Sequence, residues 1–227
     1  MNLTHVDIVF QVIVFLFAIS VHESAHAWTA WRRGDPTAYM LGRVTLNPIK
    51  HIDPFGTVLL PLFCLISHLP VIGWAKPVPV DPRNFQNEVA DDILTSVAGP
   101  VSNFLVATGA VLGMALIAIV SPEEGRIVVR SVASGFLVDT QSVLLPITLL
   151  LYNAMLINVL LGVFNLIPIP PLDGSHVLRH MLSESARQFY DTFGMVGLLV
   201  LFLVGGRIVG ALMRPVVGFF DAILMRL

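Results

Sequence analysis

The sequence contains little charge, almost no cysteine and no excess of basic residues. Asp, Glu, Lys and Arg make up 12% of its 227 residues, whereas soluble proteins contain about 25%, which excludes a soluble globular domain. The single cysteine, Cys64, excludes an intrachain disulfide framework and a cysteine-rich metal cluster. Because the 13 basic residues are outnumbered by 15 acidic ones, we expect no nucleic-acid partner.

Apolar residues, in contrast, make up 56% of the chain, and the mean hydropathy is +0.82. A membrane-spanning helix needs about 20 consecutive apolar residues. The long apolar runs are residues 6–30, 93–120, 137–164 and 193–213, and a further run at 212–227 is interrupted by Arg214-Pro215. We therefore predict an all-α polytopic membrane protein with about 4–6 membrane helices in a lipid bilayer.

We expect a single membrane-embedded domain over residues 1–227, with a core at 6–182 and one or two C-terminal helices at 190–227. Residues 35–48 alternate β-forming and turn residues, and residues 75–82 contain prolines that favour an edge strand or an extended loop. The predicted fold therefore includes a small re-entrant β/extended element after the first helix.

Segment 55–74 is apolar but contains prolines and a glycine, so it either crosses the membrane or re-enters it. Basic residues favour the cytoplasmic side of a membrane. The re-entrant alternative leaves Arg126 and Arg130 outside. It places the following residues inside: Arg32, Arg33, Arg43, Lys50, Lys76, Arg83, Arg179 and Arg187. We therefore favour the re-entrant form, with the C-terminal end of the first helix in the cytoplasm.

The sequence His22-Glu23-Ser24-Ala25-His26 lies inside the first apolar run. Histidines at i and i+4 project from one face of a helix and can bind one Zn²⁺ ion. The intervening Glu23 can accept a proton from a zinc-bound water instead of binding the metal. The alternative is an interhelical hydrogen-bond cluster without a metal. Ionisable residues at membrane depth are by default functional, which favours the zinc site.

A catalytic zinc requires a third protein ligand. The candidates near the membrane segments are His51, Asp53, Asp139, Asp173, His176 and His180. Asp173 follows Pro168, Pro170 and Pro171, which end the preceding helix and free backbone polar groups that need a polar or protein-lined cavity. From these residues alone, Asp173 is either a ligand or the N-cap of the next helix.

The motifs HESAH at 22–26 and NLIPIPPLDG at 165–174 together resemble the site-2 proteases, which are intramembrane zinc metalloproteases. The similarity continues through residues 34–57, GWAKPVPVDPRNF at 73–85 and AGPVSNF at 98–104, and is typical of the short prokaryotic branch without a PDZ domain. The resemblance covers about residues 18–178, whereas the C-terminal 45 residues match no such motif.

This resemblance implies that His22, His26 and Asp173 bind one Zn²⁺ per chain and that Glu23 is the general acid/base. It implies that Asn165 holds the substrate carbonyl or the oxyanion. The alternative for Asn165 is a hydrogen bond to the carbonyls freed around Pro168. The resemblance also makes Asn47 and His51 candidates for residues close to the substrate, and we assign His176 and His180 to the membrane interface.

The expected function is intramembrane hydrolysis of peptide bonds in or near transmembrane segments of single-span membrane proteins. The expected location is a prokaryotic plasma membrane, with the active site toward the cytoplasm. The alternatives are a metal-ion transporter or a metal-binding scaffold that uses the same histidines and aspartate. The glycine-rich run at 193–213 could pack against another helix in an oligomer.

Overall fold

The computed structural model describes residues 3–67, 73–136 and 142–227, and over these ranges the chain is helical and contains no β-strand. The α-helices are α1 (Leu3–Arg32), α2 (Thr37–Met40), α3 (Leu60–Ile66), α4 (Glu88–Val120), α5 (Glu124–Ser134), α6 (Leu144–Asn165), α7 (Gly174–Met181), α8 (Glu184–Val204) and α9 (Gly206–Leu224). Short 3-10 turns lie at Pro48–Lys50 and Pro82–Asn84, and a π-helical turn lies at Pro54–Leu59. The predicted all-α fold is thus confirmed.

Among the described residues, three helices are long and apolar enough to cross a membrane: α1 from Asp7, α4 and α6. They correspond to the predicted runs at 6–30, 93–120 and 137–164, as expected of an integral membrane protein, although residues 137–141 of the last run lie outside the described residues. The fourth run is divided at Gly205, where α8 ends and α9 begins. The predicted break at Arg214-Pro215 is absent, because Pro215 lies inside α9.

The chain forms two compact units. One contains residues 1–18 and 100–227, and the other contains residues 19–99. The division falls within α1 and α4, so each of these helices belongs partly to both units.

The larger unit has an apolar core with contributions from α4, α5, α6 and α9. Its fully buried members include Ala107, Met114 and Met155. A buried polar pair lies between α4 and α6, where the Asn103 side-chain amide donates to Oδ1 of Asn158 at 2.8 Å. Small residues and side-chain hydrogen bonds are the usual means by which helices pack in membranes.

The smaller unit is built around four dipeptides in which Asp or Asn precedes proline: Asp35-Pro36, Asn47-Pro48, Asp53-Pro54 and Asp81-Pro82. Each Asp or Asn side chain accepts a hydrogen bond from a backbone N–H two residues later. Proline fits the first position of a helical turn because it lacks the N–H that would have no partner there. Within residues 35–48, where the sequence predicts a β or extended element, Asp35-Pro36 and Asn47-Pro48 therefore start helical turns.

Asp35 connects the two halves of this smaller unit. It is fully buried and accepts hydrogen bonds from Thr37, from the backbone N–H of Asp81 at 2.8 Å and from the Asn84 amide at 2.9 Å. Burial raises the pKa of this carboxyl, but the hydrogen bonds outweigh that effect and lower the pKa overall. Residues 73–81, which lead into this contact, lie in neither helix nor strand.

Candidate metal centre

Two imidazole rings meet on one face of α1. His22 and His26 are 7% and 8% exposed, and their Nε2 atoms lie 3.0 Å apart. The rings are close to perpendicular, with centroids 4.6 Å apart. Two nitrogens bound to one tetrahedral zinc at about 2.05 Å each would lie about 3.3 Å apart. The pair is therefore close to the geometry that a shared zinc ion requires.

The orientation of the His26 ring is set by α4. Its Nδ1 atom lies 2.7 Å from the carbonyl oxygen of Thr95, and a carbonyl oxygen can only accept. Nδ1 therefore carries the proton, and in the neutral ring Nε2 presents a lone pair. Metal-binding histidines are usually held in this way, with the second ring nitrogen donating to a carbonyl or carboxylate. The contact thus prepares Nε2 of His26 for a metal.

Gly99 brings the backbone of α4 against both rings. A Cβ atom at this residue would lie 2.3 Å from Nε2 of His26 and 2.6 Å from Cε1 of His22. Real side chains do not approach so closely, so only glycine leaves the two rings in their present positions. The space beside the Nε2 atoms thus depends on the absence of a side chain at residue 99.

Glu23 is half-buried on α1 next to His22. Its charge acts on two groups outside the membrane-spanning helices, Arg43 and His51. Burial lowers the pKa of Arg43, and Glu23 acts in the opposite direction. Burial also lowers the pKa of His51, which Arg43 lowers further, whereas the Thr45 carbonyl and Glu23 act to raise it. A basic residue and a histidine therefore lie close to the predicted general base.

Asp173 lies in the larger unit, at the end of the proline-rich loop between α6 and α7. Its Oδ2 atom is shielded from solvent, and its side chain accepts no capping hydrogen bond from α7. Asp173 therefore stands at the N-cap position of α7 without a side-chain capping bond to that helix. Gly174 allows α7 to begin close to α6, because a Cβ there would lie 2.3 Å from the Leu166 carbonyl oxygen.

The proline-rich loop is also held from α8. The Tyr190 hydroxyl donates to the Pro168 carbonyl at 2.8 Å. A Cβ at Gly194 would lie 2.5 Å from Cβ of Pro170, so α8 approaches the loop closely at this glycine. These contacts fix the backbone just before Asp173.

The other predicted site residues make mostly local contacts. The Asn165 amide donates to the Leu161 carbonyl at 3.0 Å, one turn back in α6, instead of bonding near Pro168. The exposed Asn47 side chain caps the turn at Pro48–Lys50. His51 is almost fully buried and its Nε2 donates to the Thr45 carbonyl at 2.8 Å.

Asp53 and Asp139 are two other candidates for the third zinc ligand. The Asp53 carboxylate caps the π-helical turn through the N–H groups of Phe55 and Gly56, so it is already used locally. Asp139 lies outside the described residues.

Sequence reasoning did not assign roles to Thr95, Gly99 and Arg43. Two of them lie in stretches that resemble the site-2 proteases and could have been singled out for that reason: Gly99 in AGPVSNF, and Arg43 in the segment at 34–57. Thr95 contributes only a backbone carbonyl, which no residue type would reveal.

Comparison with known proteins supplies an independent assignment. The model described as peptidase family M50 matches residues 10–204 of the chain. YwhC of Bacillus subtilis is 34% identical over 197 residues, which cover 86% of this chain and 80% of that protein. Rip2 of Mycobacterium tuberculosis is 32% identical over 197 residues, which cover 83% of this chain and 64% of that protein. The names of both relatives contain the words zinc metalloprotease. No solved structure matches the chain significantly.

Proposed function

Since this chain belongs to peptidase family M50, we propose that His22, His26 and Asp173 bind one zinc ion and that Glu23 is the general acid and base. The family assignment makes the chain an intramembrane zinc endopeptidase, which acts on membrane-protein substrates in a lipid environment. Metal transport, the alternative use of such residues, is not favoured.

The observation that carries the proposed ligand set is the histidine pair on α1. The two Nε2 atoms face each other at 3.0 Å, and the Thr95 carbonyl fixes the tautomer of His26 that leaves Nε2 free of a proton. Asp173 adds a carboxylate, which is a ligand that zinc accepts. Two histidines and one carboxylate are a typical donor set for catalytic zinc.

In the proposed mechanism, His22, His26 and Asp173 would hold a zinc ion, which would supply a Lewis acid that lowers the pKa of a water molecule to about 7. Glu23 accepts a proton from the attacking water and then donates it to the leaving nitrogen. Glu23 is suited to this role because it lies next to His22 in the chain. A site that only bound a metal would not need a glutamate at this position, whereas hydrolysis does. The Asn165 amide, when it turns from the Leu161 carbonyl toward the substrate, would stabilise the oxyanion.

A transmembrane substrate must unwind before cleavage, because an intact helix hides its carbonyl groups in hydrogen bonds. We propose that residues 73–81 hold the unwound segment by strand addition, since they lie in neither helix nor strand. Asn47 and His51 belong to the same unit and would lie close to the bound segment. This stretch is the extended part of the proposed β/extended element after the first helix.

We further propose a single metalloprotease domain over residues 1–227 with a core at 6–182, in a prokaryotic plasma membrane. Segment 55–74 would re-enter the membrane from the cytoplasmic side, where the active site would face, because that arrangement best satisfies the positive-inside rule. Single-span proteins are the proposed substrates. The small residues of the run at 193–213, such as Gly206 and Gly210, would allow an oligomer to form.

The ligand set is tested by measuring zinc per chain in purified variants. We expect His22→Ala and Asp173→Ala to lose zinc and cleavage together, because each removes one of three protein ligands. His180→Ala, a histidine outside the proposed set, should retain both. Asn165→Ala should keep zinc while kcat falls about 10²- to 10³-fold, as expected when an oxyanion donor is removed. An Asp173→Ala protein with one zinc per chain and normal cleavage would refute the ligand assignment.

A further inference from the structure

A basic cleft with a volume of about 350 Å³ lies in the smaller unit. Three basic residues, Arg43, Lys50 and Lys76, line it, together with apolar residues. None of the described residues that line it is acidic. The lining itself supplies no opposite charge for Lys50 and Lys76, and the Glu23 charge that acts on Arg43 comes from outside the lining. An anionic ligand would therefore complement the basic side chains of the cleft.

The two walls of the cleft are tied together at Lys76. The Arg43 guanidinium donates to the Lys76 carbonyl, and the Lys76 N–H donates to the His51 carbonyl at 2.9 Å. The cleft is therefore a defined feature of the fold and not a chance arrangement of long side chains. It lies where residues 41–50 meet the non-helical stretch at 73–81.

The distribution of lysine in the chain adds to this. The sequence contains two lysines, Lys50 and Lys76, and both line the cleft. Both are exposed, so their ammonium groups are accessible. In a protein with only 12% charged residues, this concentration of positive charge calls for a function.

Arg43 lines the cleft and also lies close to Glu23, the predicted general base. It is 4% exposed, and its Nε atom is buried without a hydrogen-bond partner among the described residues. A buried charged donor without a partner is costly. Glu23 is near enough for its charge to act on Arg43, so the cleft begins close to the residue that we propose as general base.

We propose that the basic cleft binds a carboxylate of the peptide substrate, either an acidic side chain near the scissile bond or a chain terminus. The proposal rests on the proposed proteolytic function and names the substrate feature that the site selects. Arg43 binds the carboxylate from the buried end, and Lys50 and Lys76 bind it from the exposed end. Guanidinium and ammonium groups are the usual partners of carboxylates in proteins.

The apolar part of the lining favours a peptide over a lipid headgroup. Pro77 and Pro79 form one side, and Leu41 and Ile49 contribute to the other. Both prolines lie in the stretch 73–81, which is in neither helix nor strand, so the carbonyl groups of this side are not used in a helix and can accept hydrogen bonds from an extended peptide. A phosphate group would use the basic side chains, but it has no N–H group to donate to these carbonyl groups.

The first test measures binding without catalysis. Because the chain has two lysines, an amine-acetylating reagent followed by mass spectrometry reports on cleft occupancy directly. The full-length Glu23→Gln protein, in a neutral detergent, would be treated with the acetylating reagent in the presence of short peptide amides. These peptides contain either one glutamate or one glutamine. A third peptide, with glutamine and a free C-terminal carboxylate, distinguishes a chain terminus from a side chain.

We expect at least one carboxylate-bearing peptide to slow acetylation of Lys50 and Lys76 several-fold, and the glutamine amide to have no effect. Equal rates with all three peptides would overturn the proposal. Protection by phosphatidylglycerol in nanodiscs, together with no effect of any peptide, would identify a lipid site and would also overturn it.

The second test measures specificity in the active enzyme. Lys50→Gln and Lys76→Gln should each raise KM for a single-span substrate with an acidic flank about two- to fivefold, the range of an exposed ion pair. Neither should change KM for the matched substrate with glutamine. Arg126→Gln, which removes an exposed charge on α5, is the control. Equal KM changes for both substrates would contradict the proposal while leaving proteolysis established. If wild-type protein cleaves neither substrate, the proposed function fails, whereas the acetylation result still decides the cleft.

Discussion

At the scale of single residues, the histidine pair depends on a residue that contributes no side chain. Gly99→Ala places a methyl group where Nε2 of His26 lies 2.3 Å from the new carbon. We expect zinc content and the cleavage rate to fall together by at least about tenfold, because the rings must move apart to make room. Elemental analysis of the purified protein and a cleavage assay measure the two effects.

Gly109→Ala is the matched control for this change. It lies in the same helix, α4, and an added Cβ would meet nothing within 4 Å. Alanine is favoured over glycine in helices by about 1 kcal/mol, so neither substitution should weaken the helix itself. If Gly99→Ala retains full zinc and activity, the close approach of α4 is not what positions the rings.

The same residues show what the sequence could predict and what it could not. His22, Glu23 and His26 are readable because a helix repeats every 3.6 residues, so their spacing alone places the histidines on one face. Thr95 and Gly99 are not readable in this way, because their role depends on which part of α4 packs against α1. Asp173 is ambiguous in the sequence between ligand and cap, and in the structure it stands at the N-cap position of α7 without a side-chain capping bond.

At the scale of structural elements, Asp35 should make the smaller unit sensitive to acid. Its hydrogen bonds lower its pKa in the folded state, so the stabilisation is present above the unfolded pKa of about 3.9 and is lost as the pH falls through the folded value. We expect Asp35→Asn to destabilise residues 81–84 by about 1–3 kcal/mol at neutral pH. Hydrogen exchange of these amides measures the effect.

The difference between Asp35→Asn and wild type should shrink as the pH falls below about 4, because the unfolded wild-type chain then binds a proton that the folded carboxyl takes up only at a lower pH. Glu184→Gln, at an exposed position that begins α8, should change the exchange of residues 81–84 at no pH. A constant difference between Asp35→Asn and wild type from pH 7 to pH 3 would show that the charge of Asp35 does not contribute.

The elements also differ in how well their sequences predict them. The apolar runs of α1, α4 and α6 predict their helices closely, because hydropathy over about 20 residues is a strong signal. The region at 35–48 was predicted as β structure from residue types, yet Asp or Asn before proline starts helical turns there. Local capping overrode β propensity, which depends strongly on context. The C-terminal run is likewise broken at Gly205 and not at Arg214-Pro215. Pro215 does not end α9, because proline is tolerated within membrane helices.

At the scale of the whole molecule, the proposed topology predicts which residues face the cytoplasm. Cys64 is the only native cysteine, so Cys64→Ser gives a background for labelling in intact cells. Gln86→Cys and Ser185→Cys should be protected from a membrane-impermeant maleimide, and Glu123→Cys should react. All three positions are exposed in their units. The reverse pattern would mean that segment 55–74 crosses the membrane fully.

The central claim is that Glu23 drives zinc-dependent peptide hydrolysis within the membrane, and one measurement tests it most directly. Detergent-purified wild-type, Glu23→Gln and Glu123→Gln proteins, the last changed at an exposed glutamate, are incubated with single-span substrates, and zinc is measured in each. We predict that Glu23→Gln cleaves about 10²- to 10⁴-fold more slowly with unchanged zinc, and that Glu123→Gln behaves as wild type. Cleavage by Glu23→Gln at the wild-type rate would contradict the account.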